Sequence, residues 1–183
     1  MFGNPMHVRS YTDADLEAVG AVFTSSVDVL AAAAYDETQR RAWAPQPPDL
    51  HDWRKRLSHL QTLVAVEGAE VAGFISYEPN GHIELLYVAP SYARRGVASL
   101  LYGHAERAFI SAGVTELCTE ASLVAKPAFE RFGFVVIEEE EISLRGSSFR
   151  RFAMRKRLVT APGTSCDASQ GRTSGFGVGL TRK

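Results

Sequence analysis

Two stretches of this sequence carry side chains whose types and spacing could do chemistry. The first is "YARRGVAS", Tyr92 to Ser99, where a strand-like run "LYVAP" gives way to an amphipathic helix. A helix start leaves N–H groups without internal partners, aligned with the positive end of the helix dipole, and so suits an anion. Gly96 lets a ligand approach the backbone, Ala98 keeps the next turn low, and Arg94 and Arg95 add positive charge. Together they read as a cradle for a pyrophosphate. It is not a P-loop, which needs a closing Gly-Lys-Ser/Thr that this chain lacks. The second stretch is "HIELLYV", His82 to Val88, with Glu84 inside an apolar strand. A carboxylate there is costly unless it is paired or functional. Burial would raise its pKa towards neutrality, which suits a general base. The alternative is a structural salt bridge with an arginine of another strand. Alternation places His82, Glu84, Leu86 and Val88 on one face and Ile83, Leu85 and Tyr87 on the other. His82, near the strand start, reads as a solvated or capping residue.

The elements that must position these residues follow from periodicity. A short strand from His7 leads to a helix capped by Thr12, with Leu16, Val19, Val22 and Phe23 on its apolar stripe. A second helical stretch covers "AAAAYDETQRRAWAP", and a third opens at "PPD" with Leu50, Trp53, Leu57 and Leu60 on one face. A hairpin turns at Glu67-Gly68-Ala69, and the strand with Glu84 follows. The cradle helix runs from Gly96 to Ser111, burying Val97, Leu100, Leu101, Ala105, Ala108 and Phe109, and Gly113 ends it. Then come a strand at "TELCTEA", a short helix ending at Gly133, and a final hairpin through Arg145-Gly146-Ser147. The order is β-α-α-α-β-β-β-α-β-α-β-β, a mixed α/β domain over residues 7–158. From Val159 the chain turns rich in Gly, Ser and Thr, so residues 159–183 are expected to be a disordered tail.

The 183 residues are 45% hydrophobic and 22% charged, enough for one domain with a real core. A formal net charge of −1 argues against a phosphate-neutralising nucleic-acid surface. No apolar run reaches membrane-spanning length, and the N-terminus lacks a signal-peptide pattern. Cys118 falls in a strand and Cys166 in the polar tail, so no disulfide is expected, and paired Cys/His spacing for a zinc site is missing. A cytoplasmic protein without metal, membrane or nucleic-acid partner is the expectation.

In its motifs and their order the sequence resembles the GNAT superfamily of acyl-CoA-dependent N-acyltransferases. That family's cradle signature is Arg/Gln-x-x-Gly-x-Gly/Ala after a V-x-P strand end. Its glycine positions fall on Gly96 and Ala98 and its leading position on Ala93, so Arg94 and Arg95 supply the charge instead. A second signature, Phe-Tyr-x-x-x-Gly-Phe, appears as Ala128-Phe129-Glu130-Arg131-Phe132-Gly133-Phe134. The segment "AYDETQRRAWAP" further resembles a bacterial subgroup of mostly unassigned acetyltransferases. The resemblance covers His7 to Leu158. It implies a GNAT fold: a central mixed, mostly antiparallel sheet of about six to seven strands flanked by helices.

The resemblance also implies an acetyl-CoA-dependent N-acetyltransferase, with acetyl-CoA as cosubstrate and a small-molecule primary amine attacking directly in a ternary complex. The N–H groups from Arg95 through Gly96, Val97 and Ala98 to Ser99 would hold the pyrophosphate. Leu86, Tyr87 and Val88 would line the pantetheine arm, with an N–H near Val88 facing the developing oxyanion. Ser122, where the family often has Asn, and Phe129 would contact the cofactor. Ser122 reads equally as a turn cap. Glu84 would accept the amine proton, directly or through water. Tyr35 and Trp43 lie in the variable helical region over the acceptor and are the candidate substrate contacts, although aromatics there, Trp53 included, serve equally as core. Phe129 replaces the family's tyrosine and cannot donate a proton. Tyr35, Tyr77, Tyr87, Tyr92 and Tyr102 are the available substitutes, and sequence does not rank them. Two other functions stay open: a protein lysine or N-terminal acetyltransferase, and a degenerate acyl-CoA sensor without turnover. A homodimer is compatible with all three.

Overall fold

A computed structural model describes residues 5–158. Strands β1 (His7–Ser10), β2 (Gln61–Glu67), β3 (Glu70–Tyr77) and β4 (Ile83–Val88) form one antiparallel sheet in that order. Strands β5 (Glu116–Ser122), β6 (Val135–Leu144) and β7 (Ser147–Arg157) form a second, ordered β5-β7-β6. The seven strands are thus divided between two sheets. Where the sheets meet, β4 and β5 run parallel and share one bridge, His82 to Cys118. The Cys118 N–H donates to the Gly81 carbonyl (3.0 Å), and the Thr119 hydroxyl donates to the Ile83 carbonyl (2.9 Å). No further pairing joins the two strands among the described residues, so their later halves part.

Each face of the first sheet carries its own core. On one face α1 (Leu16–Ser25), α2 (Glu37–Trp43) and α3 (Leu50–Leu57) cover Val64, Phe74, Leu85 and Tyr87. On the other, α4 (Val97–Ser111) covers Ile75, Ile83 and Leu86, and Leu117 of β5 and Phe129 of α5 (Lys126–Arg131) join the same core. α4 buries Val97, Leu101, Tyr102, Ala105 and Phe109, a four-residue recurrence, while Ala108 faces outward. Gly73 on β3 lets this helix lie close. A Cβ there would sit 2.7 Å from the Tyr87 carbonyl oxygen, 3.1 Å from Val97 Cγ1 and 3.3 Å from Leu101 Cδ1.

Local capping sets the other helix starts. The Thr12 N–H and hydroxyl both donate to Asp15 (2.8 and 3.0 Å), whose carboxylate also takes two Arg9 nitrogens at 2.7 Å. α1 then passes into a π-helical turn, Ser26–Leu30. The second helix begins at Glu37 and not at Ala31, because Asp36 accepts the Gln39 N–H (2.8 Å) while Gln39 accepts the Asp36 N–H (3.0 Å). The hairpin turns and the ends of α4 and α5 fall where the pattern places them. Cys118, against expectation, is disulfide-bonded. Cys166 and the whole expected tail, 159–183, lie outside the described residues. Among those described, no helix is long and apolar enough to cross a membrane, and no group of three or more His, Cys, Asp or Glu could hold a metal ion.

Candidate active site

The start of α4 has the geometry of an anion cradle. Gly96 caps it at φ +83°, a left-handed conformation that glycine adopts without steric cost. The Leu100 N–H closes the first turn on the Gly96 carbonyl (2.9 Å). The N–H groups of Val97, Ala98 and Ser99 precede that bond and have no carbonyl behind them to reach. A Cβ at Gly96 would meet nothing within 4 Å, so the space before the helix is open. These features fit a diphosphate. Arg94, at φ +61°, is exposed and makes no ion pair among the described residues. Arg95 behaves differently. Its guanidinium donates to Glu67 (3.0 Å) and lies 4.7 Å from the Tyr92 ring centroid. Its N–H donates to the Tyr92 carbonyl (3.4 Å). The Tyr92 hydroxyl in turn donates to Glu70 (2.8 Å), a bond that pushes its pKa to about 12. Arg95 therefore braces the loop against the β2–β3 hairpin, and the free N–H set begins after it.

The edge of β4 supplies the second half of the site. The Ala89 N–H donates to the Ala72 carbonyl (2.9 Å), so the backbone at that position faces β3. By two-residue alternation Tyr87 also turns its backbone to β3, and Leu86 and Val88 turn theirs towards the parted β5. Leu86 and Val88 are thus placed for an extended amide ligand. Tyr87 is not, because its ring packs on the opposite core, 5.5 Å from Phe74 and 5.0 Å from Phe23.

Glu84 departs from strict alternation. Ser76 pairs with Leu85 and Tyr77 with Ile83, so Glu84 is the extra residue of a β-bulge. The bulge resets the phase: Ile83 faces the α4 core with Leu86, while Glu84 turns towards α3 on the side of Leu85 and Tyr87. Glu84 is 5% exposed. Its Oε1 accepts from Arg56 Nε at 2.8 Å, and Arg56 Nη2 lies 2.5 Å from the same oxygen but off the hydrogen-bond direction. Oε2 has no protein partner among the described residues. The salt bridge weighed from sequence is present, although its arginine comes from a helix and not a strand. Sequence reading missed Arg56. Its signal was a cation one residue before Leu57 on the apolar stripe, within reach of a carboxylate that needed one.

His82 is buried, not solvated, with Nε2 2.8 Å from Glu120 Oε2. Burial pulls its pKa down, but the Glu120 hydrogen bond and the charges of Glu120, Glu78 and Glu84 outweigh that and hold it above the ordinary value. Tyr35 and Trp43 are 3% and 2% exposed and pack edge-on at 5.2 Å, with Phe149 beside both. The Trp43 Nε1–H donates to the Tyr87 hydroxyl (3.3 Å). Trp43 is core and not an open pocket wall, and the Tyr35 ring packs in the same core with its hydroxyl at the end of β5. Ser122 is buried, and its Oγ accepts the Ala125 N–H (3.2 Å), the turn-capping role. Phe129 has no exposed surface and packs against Phe132 and Phe134, so it cannot meet a cofactor unless the core opens. The Leu123 N–H donates to the Tyr35 hydroxyl (3.0 Å). Burial raises the Tyr35 pKa, and the Leu123 N–H and Ser122 hydroxyl partly offset it.

Comparison with known proteins places this geometry in context. A family model described as an acetyltransferase (GNAT) domain matches residues 31–158. The uncharacterised N-acetyltransferase YafP of Escherichia coli (strain K12) is 36% identical over 152 residues, covering 83% of this chain and 96% of that protein. A GCN5-related N-acetyltransferase from Rhodopseudomonas palustris superposes with a TM-score of 0.80 at 31% identity, over 86% of this chain and 99% of that one. The PaiA N-acetyltransferase of Thermoplasma acidophilum, solved with coenzyme A, shares the fold with a TM-score of 0.67 at 22% identity, over 84% and 99%.

Proposed function

The chain belongs to the GNAT family of acetyltransferases, and from that premise we propose that it transfers the acetyl group of acetyl-CoA to the primary amine of a small molecule, by direct attack in a ternary complex. The observation that carries this reading is the glycine-opened N-terminus of α4 beside the unpaired edge of β4. A diphosphate and an extended amide arm are joined in one molecule in coenzyme A, which the Thermoplasma relative holds. Bound acetyl-CoA supplies an acetyl group already activated as a thioester.

The chain's own residues do the rest. The N–H groups of Val97, Ala98 and Ser99, with Arg94, hold the pyrophosphate. Leu86 and Val88 pair with the pantetheine amides, and the Val88 N–H stabilises charge on the thioester oxygen. An alkylammonium ion has a pKa of roughly 10 and must lose a proton before it can attack. Glu84 accepts that proton through Oε2. Arg56 occupies Oε1, which leaves Oε2 to meet the amine directly or through a water. Residues 7–158 form the catalytic unit in this reading.

The test is release of free thiol from acetyl-CoA, followed colorimetrically across a panel of small amines, amino acids and peptides. Turnover with small amines supports the proposal. Turnover with peptides alone would move it to a protein acetyltransferase. Tight acetyl-CoA binding without acetyl transfer to any acceptor would make the protein a sensor.

A further inference from the structure

We infer that Tyr35 is the general acid that protonates the departing thiol, in place of the tyrosine that Phe129 replaces. This rests on the acetyl-transfer reading above. The remaining tyrosines are otherwise engaged. Tyr92 and Tyr102 donate their protons to Glu70 (2.8 Å) and Glu106 (2.7 Å). Tyr77 packs on Phe109 in the α4 core, 4.7 Å between ring centroids. Tyr87 is boxed by Phe23, Phe74 and Trp43, and Tyr11 stands beyond β1 beside Asp13 and Arg54.

Tyr35 alone brings its hydroxyl to the end of β5, against Leu123 and Ser122. That is the half of β5 that has parted from β4. A phenol oxygen accepts two hydrogen bonds and donates one. Here the oxygen accepts the Leu123 N–H at 3.0 Å, and the Ser122 hydroxyl also favours its ionised form. No carboxylate or carbonyl takes the Tyr35 proton among the described residues, and its side-chain neighbour is the Ser122 hydroxyl. The donors that hold the ring in place are also those that stabilise the oxygen once its proton has gone. Tyr35 comes from the chain between the π-helical turn and α2, so the acid role has moved from α5 to the opposite core.

The bonds balance. The amine nitrogen bonds to the acetyl carbon, the carbon–sulfur bond breaks, and the sulfur leaves with the electron pair. Glu84 or its water takes the proton that the alkylammonium gives up before attack, the nitrogen's second proton passes to solvent as the amide forms, Tyr35 Oη gives its proton to the sulfur, and solvent reprotonates Tyr35. The products are the acetylated amine and coenzyme A as free thiol.

The experiment uses the full chain and Tyr35→Phe. Acetyl-CoA affinity is expected to hold, while acetyl transfer falls roughly 10²-fold, as for loss of a general acid. With an activated acetyl donor whose leaving group needs no proton, the deficit should close. Independently of turnover, the thiol of bound coenzyme A, followed by thiolate absorbance, should titrate at higher pH on Tyr35→Phe than on wild type, because the phenol donates to the thiolate. Equal deficits with both donors, or identical thiol titrations, overturn the assignment. If Tyr35→Phe does not fold, a fluorinated tyrosine at position 35 replaces it. The alkaline limb of its rate profile must then move to lower pH, and an unmoved limb refutes the acid role. Should wild type acetylate no amine, the acetyl-transfer reading fails by itself, and the thiol titration still decides Tyr35.

Discussion

On the α4 side of β4, the cradle is a run of neighbours in sequence, Arg94 to Ser99, and its chemistry is backbone chemistry. On the α3 side, Glu84, Arg56, Tyr35 and Trp43 come from separate segments, and their chemistry depends on how those segments meet. The first side is fixed by one glycine and one helix start. The second requires a bulge, an ion pair across 28 positions and an aromatic cluster to agree. A site made locally should fail through a single backbone position. A site made over long range should fail by degrees, with effects shared between rate and stability.

The largest expected effect tests the local side. Gly96→Glu places a side chain where φ is +83° and a carboxylate where the pyrophosphate would lie. Strain and like charge act together there. No Cβ clash with the protein accompanies the change, since nothing lies within 4 Å. The domain should therefore still melt cooperatively, while calorimetry detects no acetyl-CoA binding. Retained affinity would break the comparison at its firmer half, because the cradle would then not be local.

The same division explains what the sequence made legible. The helix start at Asp49, the turn at Gly68 and the start of α4 depend on residues a few positions apart, and pattern reading reaches them, whereas the equally local cap at Asp36 is hidden by the alanine run before it. The face of Glu84 does not depend on such neighbours. Alternation puts it with Leu86, but the bulge opposite Ser76 and Tyr77 turns it to the other side, and that shift is a property of the pairing with β3. The backbone of Tyr87 is hidden from pattern reading for a related reason: its direction follows from the Ala89–Ala72 bond and not from its own type. Phe129 fits its motif by position yet is sealed in the core, since Phe132 and Phe134 close over it.

The next effect in size belongs to the long-range side. Glu84→Gln keeps the shape and one acceptor for Arg56 but removes the carboxylate proposed to accept the amine proton. Transfer should slow by roughly 10²–10⁴. Acetyl-CoA affinity should barely change, because the carboxylate faces away from the α4 core. As pH climbs towards the amine's own pKa, more acceptor arrives neutral and the deficit should shrink. Breaking the pair from the other side, with Arg56→Met, leaves a buried carboxylate uncompensated and should cost about 3–5 kcal/mol of stability. If Glu84→Gln shows a deficit that does not vary with pH, Glu84 serves only the ion pair, and the acceptor side loses its base.

The smallest effect separates two adjacent residues. Arg94 and Arg95 carry the same charge, yet among the described residues only Arg95 has partners: Glu67 at 3.0 Å and the face of Tyr92. Its ion pair is half exposed, 49% and 31% for the two side chains, so it contributes about 0–1 kcal/mol, and the ring contact adds about 0.5–1. Arg95→Gln should therefore lower the melting temperature by a few degrees, since about 1 kcal/mol moves a domain of this size by roughly 2–4 °C. It should change acetyl-CoA affinity little, because its charge is already balanced by Glu67. Arg94→Gln removes an unpaired charge next to the anion site. It should leave melting unchanged and weaken acetyl-CoA by roughly two- to fivefold, about 0.5–1 kcal/mol. That loss should fade as salt screens the contact. Calorimetry at low and high salt, beside thermal melts of both variants, reads the two roles apart. If the outcomes are exchanged, with Arg95→Gln losing affinity and Arg94→Gln losing stability, Arg95 leaves Glu67 when the anion arrives, and the cradle is assembled by ligand and not by local sequence.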